Sequence, residues 1–429
     1  MAEPYASPRW SGLAIDLLIH VVHLLELPEA LAFRAVCPLW RSASTAAAGV
    51  PRTRQTPWLV SLVTDPLPRD KQSRDPSVSS QFLNMLDKKT YQVSFPQGKG
   101  KAVALCGASQ GWLVVANELS DLILYDPFAM TTIPLPPITG FSKCIQGVYA
   151  DGDATHDVVS PGMAFYDKLV LSGSPFAAAG AIALVVHTSG KQLSFARVGS
   201  GAGSSRSPSW PLLTSIVQSD DRDSFADIVH HSRAGTRFYA LTIKGLLVSF
   251  TFSPGRNKAK REVIIAKDDD QDVVTRYLVS TPWAHLLQIR VILDKDRKNG
   301  VTVQIDRVDL KSRTLVGLAP AEALRGYAVF LGQNSPGVLS TDTFPKLRPD
   351  CIYFTTPRLR NEITYENRYN RWRSGVKVYD LKKQTLEPEF PWRGESYGPA
   401  SNPLEVWFTP SQLPYSTFSA SLPSLDDSH

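Results

Sequence analysis

Short apolar runs separated by turn-forming residues recur along most of this chain, from Pro57 to Phe390, and no helical periodicity interrupts them. About four runs fall in every ~40 to 50 residues, which is the rhythm of a β-propeller, because each propeller blade is a four-stranded antiparallel sheet. The 32 Pro and 27 Gly, with 18 Phe, 14 Tyr and 9 Trp, favour many short strands joined by turns. We therefore predict an all-β propeller of six blades, with seven as the alternative.

The predicted strands form successive sets, and the end of the chain is expected to close the ring. An open ring would expose two apolar strand edges, so residues 404–409 are predicted to lie beside Trp58 to Val63 in the first blade. A turn-rich stretch, 65–80, follows that strand. The other predicted strands are 91–95, 111–117, 122–127 and 131–137; 144–149, 163–171, 181–187 and 192–198; 225–229, 237–243, 246–252 and 262–266; 276–280, 285–293, 301–310 and 314–318; and 327–332, 351–356, 376–380 and 385–390.

The stretch from Trp10 to Ser44 has a different, helical pattern. Its apolar residues recur at three- and four-residue steps, and Asp16 lies near the positive end of the first predicted helix. Pro28 and Pro38 each open a further helix, because proline is tolerated in a first helical turn. Three helices in about 35 residues fall below the ~40-residue size at which a domain usually builds its own core. The surplus apolar surface therefore predicts a binding partner.

This stretch resembles an F-box, the short helical motif by which substrate receptors bind a Skp-type adaptor in cullin-based ubiquitin ligases. The family pattern of Leu-Pro-x-Asp/Glu-Leu-Leu, an aliphatic helix and a closing Val-Cys-Lys-x-Trp-Arg is met except at Ala14, which replaces Pro, and Pro38, which replaces a basic residue. An ordinary helical hairpin packed on the neighbouring domain is the alternative. The resemblance implies adaptor contacts from Leu13, Leu17, Leu18, Val21, Val22, Leu25, Leu31, Phe33, Val36, Cys37 and Trp40.

The rest of the chain resembles the plant family of F-box proteins whose C-terminal half is a KIB-type propeller. Asp126 stands where that family usually has Asn, and Ala129 where it has Thr. The predicted domains are an F-box at 9–48, a linker at 49–56, the propeller at 57–415 and a polar tail at 416–429. The phrases that carry the resemblance are Pro57-Trp58, Gly111 to Val114, Asp126 to Phe128, Ile133 to Pro137, Phe238 to Ala240, Phe330 to Gly332, Cys351 to Thr355 and Trp407 to Ser411.

Composition excludes several classes of protein. The 46 basic and 40 acidic residues give a net charge of +6, but the basic residues are spread along the chain, which is weak support for nucleic-acid binding. The four cysteines lie far apart, without the pairs of a zinc site or a disulfide framework. The start of the chain lacks a secretory signal, and no uncharged apolar run approaches the ~20 residues of a membrane helix. A cytosolic or nuclear protein is expected.

Several short motifs have the letters of a chemical site but lack its context. Gly107 to Gly111 matches a nucleophile elbow, yet a strand follows it where a helix is needed, so a β-turn is favoured. The spaced acids Asp268, Asp270 and Asp272 lack the Gly and Glu of a calcium loop, which favours a solvated turn. Two histidine pairs, at 20 and 23 and at 230 and 231, lack further ligands and are expected on the surface or rim. No catalytic residue, metal or cofactor is predicted.

Two basic segments remain candidates for binding. Arg256, Lys258, Lys260 and Arg261 fit either a nuclear-import signal or a solvated hairpin tip. The loop from 358 to 373 mixes Arg with Tyr and Trp, residue types that are enriched in interface hot spots, although a long charged hairpin is the alternative. It supplies the predicted target-binding residues Arg368, Tyr369, Arg371, Trp372 and Arg373.

The predicted function is that of a non-catalytic substrate receptor of a Skp-cullin-F-box ubiquitin ligase. The F-box would bind the adaptor, and through it a cullin scaffold, while the propeller holds an unidentified target protein. No membrane or nucleic-acid partner is expected. The alternative is a propeller that binds a small molecule, a glycan or a partner that it inhibits stoichiometrically, behind an F-box weakened by Ala14 and Pro38.

Overall fold

A computed structural model describes most of the chain in two compact units, one helical and one built of β-strands. The described residues are 10–25, 27–46, 57–64, 78–86, 88–94, 102–117, 119–127, 131–141, 165–188, 190–199, 209–216, 223–231, 236–253, 258–268, 272–294, 300–355, 376–388 and 405–410.

Among the described residues, no helix has the length and apolar character needed to cross a membrane.

The helical unit contains three consecutive α-helices, as the proline positions predict. A 3-10 helix spans Trp10–Gly12, and the α-helices are α1 (Ile15–Leu24), α2 (Leu27–Val36) and α3 (Pro38–Ala46).

The β unit is a six-bladed propeller, which confirms the predicted fold class and blade number. Blades 1 to 5 are given from the inner to the outer strand, and blade 6 in chain order. The first three blades are β25 (Glu405–Phe408), β1 (Trp58–Thr64), β2 (Val78–Asn84) and β3 (Thr90–Ser94); β4 (Ala102–Ser109), β5 (Trp112–Asn117), β6 (Leu122–Asp126) and β7 (Thr131–Pro134); and β8 (Tyr166–Leu171), β9 (Ala181–His187), β10 (Gln192–Val198) and β11 (Leu212–Ser215).

The other three blades follow in chain order. They are β12 (Phe225–His230), β13 (Arg237–Thr242), β14 (Leu247–Phe252) and β15 (Ala259–Ile265); β16 (Val273–Ser280), β17 (Leu286–Asp294), β18 (Gly300–Asp309) and β19 (Thr314–Gly317); and β20 (Tyr327–Leu331), β21 (Gly337–Ser340), β22 (Cys351–Phe354), β23 (Lys377–Asp380) and β24 (Thr385–Pro388). A 3-10 helix, Ile138–Gly140, follows β7, and a short helix, α4 (Pro320–Ala323), precedes β20.

The last strand closes the ring, as predicted. Strand β25 pairs antiparallel with β1, and Trp58 lies opposite Phe408 while Val60 lies opposite Val406. The side chains of Val406, Trp407 and Phe408 are all buried. The first blade is thus assembled from both ends of the β unit.

The core lies between neighbouring blades, and this explains the long apolar runs in the sequence. One cluster joins blades 2 and 3, and others join blades 3 and 4, 4 and 5, 5 and 6, and 6 and 1. The first and second strands of a blade, counted from the centre of the ring, are covered on both faces, so all residues of β5, β8 and β9 are buried. Such strands need not alternate apolar and polar residues.

Blade 6 departs from the simple four-stranded pattern. Strand β20 pairs parallel with β22, and it forms an antiparallel hairpin with β21 on its other side. We call β20, β21 and the tip between them, residues 332–336, the central hairpin. It adds a fifth strand to this blade.

The tip of the central hairpin contacts blades that are not neighbours of blade 6. The backbone N–H of Ser335 donates to the carbonyl oxygen of Ala108 in blade 2 at 2.7 Å, and the hydroxyls of Ser335 and Ser109 are also 2.7 Å apart. Gly107, with φ +147°, makes this approach possible, because a Cβ there would lie 2.7 Å from the carbonyl oxygen of Gln333. The hairpin therefore crosses the middle of the ring.

The structure also corrects the strand prediction in several places. Strands β2, β4, β11 and β21 were not predicted, and β2 begins inside the stretch expected to be rich in turns. Strand β4 carries mostly small residues, AVALCGAS, which give little strand signal. The predicted run at 144–149 lies outside the described residues, and β11 takes the fourth place in blade 3. The prediction was therefore wrong in leaving β11 out of the four strands of that blade.

Candidate protein-binding surfaces

The helical unit has a small apolar core to which all three α-helices contribute. Trp40 packs over Phe33 with ring centroids 4.4 Å apart, and its Nε1 donates to the carbonyl oxygen of Trp10 at 3.2 Å. These contacts fix α3 against the start of the unit. The buried core residues are Leu18, Val22, Phe33 and Ala43, and Leu13, Ile19, Leu25 and Trp40 pack against them.

Helix α1 also carries apolar residues on the side turned away from this core. Leu17, Val21 and Leu24 are 58%, 38% and 73% exposed, and their spacing of four and three residues places them on one helix face. We call this the α1 outer face. Apolar residues on both sides of a helix are typical of a helix that is covered on both sides. The outer face is therefore the best candidate for a partner surface in this unit.

The residues predicted to contact an adaptor differ in how deeply they are buried. Leu18, Val22 and Phe33 are buried in the unit's own core, so they support the surface from beneath. Leu17, Val21 and Val36 are exposed, whereas Leu13, Leu25, Cys37 and Trp40 are half-buried, and the side chain of Leu31 lies outside the described residues. The prediction of adaptor contacts stays a prediction. Leu24 was not among those contacts, although it is the most exposed residue of the outer face.

Ala14, which departs from the F-box pattern, lies immediately before α1 in a conformation that suits proline. Its φ of −59° and ψ of 141° match the proline ring, and its carbonyl accepts the N–H groups of Leu17 and Leu18. Its own N–H donates to no other described residue. The departure therefore leaves the geometry of the turn intact.

Replacing Ala14 with proline should stabilise the helical unit by about 0.4 to 1 kcal/mol, because proline reduces the entropy of the unfolded chain. Thermal unfolding followed at 222 nm, where helices dominate, would measure this. Ala14→Gly should shift stability in the opposite direction, since glycine increases that entropy. A destabilising Ala14→Pro would show that the turn depends on the N–H of this residue.

At the centre of the propeller, a buried ion pair connects four blades. The Nζ of Lys168 in β8 lies 2.5 Å from Oδ1 of Asp227 in β12, and both side chains are almost completely buried. The second carboxylate oxygen of Asp227 accepts the N–H of Leu278 in β16 at 2.8 Å, while Lys168 also makes a longer contact, 3.4 Å, with the carbonyl oxygen of Gly332. Blades 3, 4, 5 and 6 are thus held together by one pair of charges.

Similar local geometry positions the two charged residues. The register shifts after the first residue of β4, β8, β12 and β16, which is a bulge repeated in four inner strands. Lys168 and Asp227 follow this bulge at equivalent places in adjacent blades. A bulge redirects the side chains that follow it. The sequence carries no local signal for this pairing, because the two residues belong to different blades.

Comparison with known proteins identifies the family of the propeller. The family model described as the KIB1-4 beta-propeller matches residues 82–380. The chain belongs to the KIB1-4 β-propeller family. The match spans blades 1 to 6 and confirms the KIB-type propeller predicted from the sequence.

A curated relative agrees with the F-box part of the prediction. A candidate F-box protein of Arabidopsis thaliana is 28% identical to this KIB1-4 family member over 136 residues, which are 32% of this chain and 34% of that protein. The chain thus spans about a third of the length of the relative it matches. Together, the family match and this similarity support a propeller-containing F-box protein of plant type.

Solved structures with similar folds are more distant from this KIB1-4 protein. A candidate 6-phosphogluconolactonase from Bacteroides uniformis is 12% identical with a TM-score of 0.39, covering 80% of this chain and 84% of that one. A protein from Lactobacillus plantarum is 9% identical with a TM-score of 0.36, covering 83% and 99%. Neither similarity carries an argument about function.

The two motifs that resemble a nucleophile elbow and a calcium loop have structural roles in the KIB1-4 propeller. Ser109 ends β4, and Gln110 and Gly111, with φ of 52° and 81°, form a tight hairpin turn before β5, so the predicted β-turn is present. Asp268 pairs with the buried Arg276 at 2.6 Å, while Asp270 lies outside the described residues. No group of three or more His, Cys, Asp or Glu residues suited to a metal occurs in the described parts of the chain.

The histidine pair in blade 4 is more deeply placed than predicted. His231 is buried, and its Nδ1 lies 2.8 Å from the hydroxyl of Ser280 in blade 5. Burial, with a smaller effect from His231, lowers the pKa of His230 to about 4, so this side chain is neutral at physiological pH. The expectation of surface or rim positions is therefore wrong for His231, which links two blades. His20 is exposed, and the side chain of His23 lies outside the described residues.

The two basic segments are described only in part. Lys260 and Arg261 lie in β15, the outer strand of blade 4, and Lys258 immediately precedes it. Arg256 lies outside the described residues. The predicted target-binding residues Arg368, Tyr369, Arg371, Trp372 and Arg373 all lie outside them as well, so their role stays a prediction.

Proposed function

We propose that this KIB1-4 family protein is a substrate receptor of a Skp-cullin-F-box ubiquitin ligase. The helical unit would bind the adaptor through the α1 outer face, and the propeller would hold the target protein. The observation that carries the proposal is the exposure of Leu17, Val21 and Leu24 on a helix whose other side already fills its own core. The F-box resemblance and the F-box relative support the same assignment.

In this role, the chain positions the target protein and carries out no chemical step. Holding a target beside a conjugating enzyme raises the effective concentration of its lysines, which can replace a bimolecular encounter by an intramolecular one. Both units would then act as binding surfaces. The propeller suits this role because the loops between its strands can vary while the blades stay fixed.

The combined substitution Leu17→Asp and Leu24→Asp should lower the affinity for a Skp-type adaptor by about a hundredfold or more. Burying each leucine contributes about 1.5 to 3 kcal/mol, and the new carboxylates would have to be desolvated. The measurement is isothermal titration of the purified full chain with the adaptor. Because both residues are exposed, the variant should keep the unfolding transition of the wild type.

Ser42→Asp is the matched control, because Ser42 is an exposed position of α3 and this change adds charge without removing apolar area. It should leave adaptor binding nearly unchanged. If the wild-type chain does not bind the adaptor, or if the double variant binds equally well, the ligase proposal fails. A propeller binding module without adaptor affinity then becomes the better description.

A further inference from the structure

Three side chains, one exposed and two half-buried, form a cluster where blades 5 and 6 meet. Trp283 lies in the turn between β16 and β17, and Tyr327 begins β20 at the base of the central hairpin. Their rings meet edge to face with centroids 4.9 Å apart, and the guanidinium carbon of Arg325 lies 5.4 Å from the centroid of the Trp283 ring. We call these three residues the Trp283 cluster.

Arg325 differs in its electrostatic partners from three arginines of the propeller that form ion pairs. Arg276 pairs with Asp268, Arg290 with Asp306, and Arg348 with both Asp380 and Glu387. The Arg325 guanidinium is exposed and makes no hydrogen bond or ion pair with any described residue. Among the described residues, the guanidinium lies over the indole face of Trp283, which orients the charge without neutralising it.

Three acidic residues, Glu322, Asp342 and Asp350, lie close to Arg325 in the sequence or through hydrogen bonds to Gly326, and none of them makes an ion pair with its guanidinium. Glu322 is exposed and precedes Arg325 by three residues. Asp350 is buried; one of its oxygens accepts the N–H of Gly326, and the other lies 3.0 Å from the Nζ of Lys382. Asp342 is exposed and follows Thr341, whose hydroxyl donates to the carbonyl oxygen of Gly326 at 2.6 Å. The carboxylate of Asp342 would therefore compete with an incoming anion for the guanidinium of Arg325.

We propose that the Trp283 cluster binds an acidic peptide segment, with a carboxylate on Arg325 and a neighbouring apolar side chain against Trp283 and Tyr327. A guanidinium presents paired donors that match a carboxylate, and its bonds to a charged acceptor are stronger than neutral ones. Trp, Tyr and Arg are the residue types enriched in binding hot spots. The net charge of +6 favours approach of an acidic partner. This inference rests on the proposed function, since it names a surface for the target.

The test uses the full chain and a short fluorescent peptide of repeated Glu-Glu-Leu, with the Gln-Gln-Leu peptide as its neutral counterpart. Fluorescence anisotropy at low ionic strength should show binding of the acidic peptide only. Arg325→Met should weaken it by about tenfold or more, because a hydrogen bond to a charged group is lost. Trp283→Leu should also weaken it, whereas Asp342→Asn should strengthen it severalfold.

Lys258→Met is the matched control, because it removes one exposed positive charge in another blade. Its effect on peptide affinity should be small. Arg325→Gly adds a check on folding: Arg325 has φ of 54°, a conformation that glycine adopts without strain, so this variant should lose peptide binding while remaining at least as thermally stable as the wild type.

The proposal is overturned if the wild type does not bind the acidic peptide, if the neutral peptide binds equally, or if Arg325→Met and Lys258→Met behave alike. Adaptor affinity is measured on the same protein samples. Loss of peptide binding with retained adaptor binding locates the defect in the Trp283 cluster. Absence of adaptor binding with retained peptide binding rejects the ligase role and leaves the peptide site standing.

Discussion

Replacing Lys168 with alanine is expected to destabilise the propeller by about 3 to 5 kcal/mol, because it leaves the carboxylate of Asp227 buried without its counter-charge. Asp227 is only 1% exposed, so the rest of the protein shields its charge from bulk water. The affected contacts reach blades 3, 4, 5 and 6, and the transition should therefore move as a whole. Urea unfolding followed by tryptophan fluorescence would measure the change in free energy.

Two comparisons separate this effect from a general loss of charge or packing. Arg313→Ala breaks the exposed pair of Arg313 with Glu262 and should cost less than about 1 kcal/mol. The double substitution Lys168→Met and Asp227→Asn should recover much of the lost stability, because it removes both charges together while an amide oxygen can still accept the N–H of Leu278. Equal effects of Lys168→Ala and Arg313→Ala would contradict the central role of the buried pair.

A chain that ends at residue 404 is expected to lose the cooperative unfolding of the propeller and to aggregate. It lacks β25, whose Val406, Trp407 and Phe408 are buried, and it exposes the edge of β1 to which that strand is paired. Burial of each of these side chains contributes about 1.5 to 3 kcal/mol, which is large against a typical total stability of 5 to 15 kcal/mol. Soluble yield and the width of the melting transition are the measurements.

The matched control is a chain that ends at residue 410. It keeps β25 and removes only the residues beyond it, so it should remain soluble and melt as the full chain does. A soluble, cooperatively melting chain ending at residue 404 would show that the ring is held closed without β25. The central hairpin would then be the connection to examine, because its tip joins blade 6 to blade 2 independently of the last strand.

The strands that the sequence predicts well are those whose local pattern matches their burial. Strand β14 was expected at 246–252 and spans Leu247–Phe252, and β18 was expected at 301–310 and spans Gly300–Asp309. Both contain dense apolar and β-branched residues between clear turns. Strand β4 was not predicted, because its small residues give no strong local preference for a strand. They are buried by the surrounding blades.

Periodicity found the helices of the helical unit but could not assign the faces of α1. Leu17 and Leu18 are adjacent and equally apolar, yet one is 58% exposed and the other completely buried. The difference depends on where Phe33 and Ala43 pack, and that is information from other helices. The same limit applies to Lys168 and Asp227, whose pairing depends on the order of the blades.

The central hairpin also has a consequence for the size of the ring. Its tip spans from blade 6 to Ser109 in blade 2, and Gly332 at its start contacts Lys168 in blade 3, the blade opposite in a ring of six. The hairpin has a fixed length, so it can contact these partners only if the central channel of the ring has a matching width. A seventh blade would widen that channel. The length of the hairpin therefore matches a ring of six blades. A variant with one blade added or removed should therefore need a central hairpin of a different length.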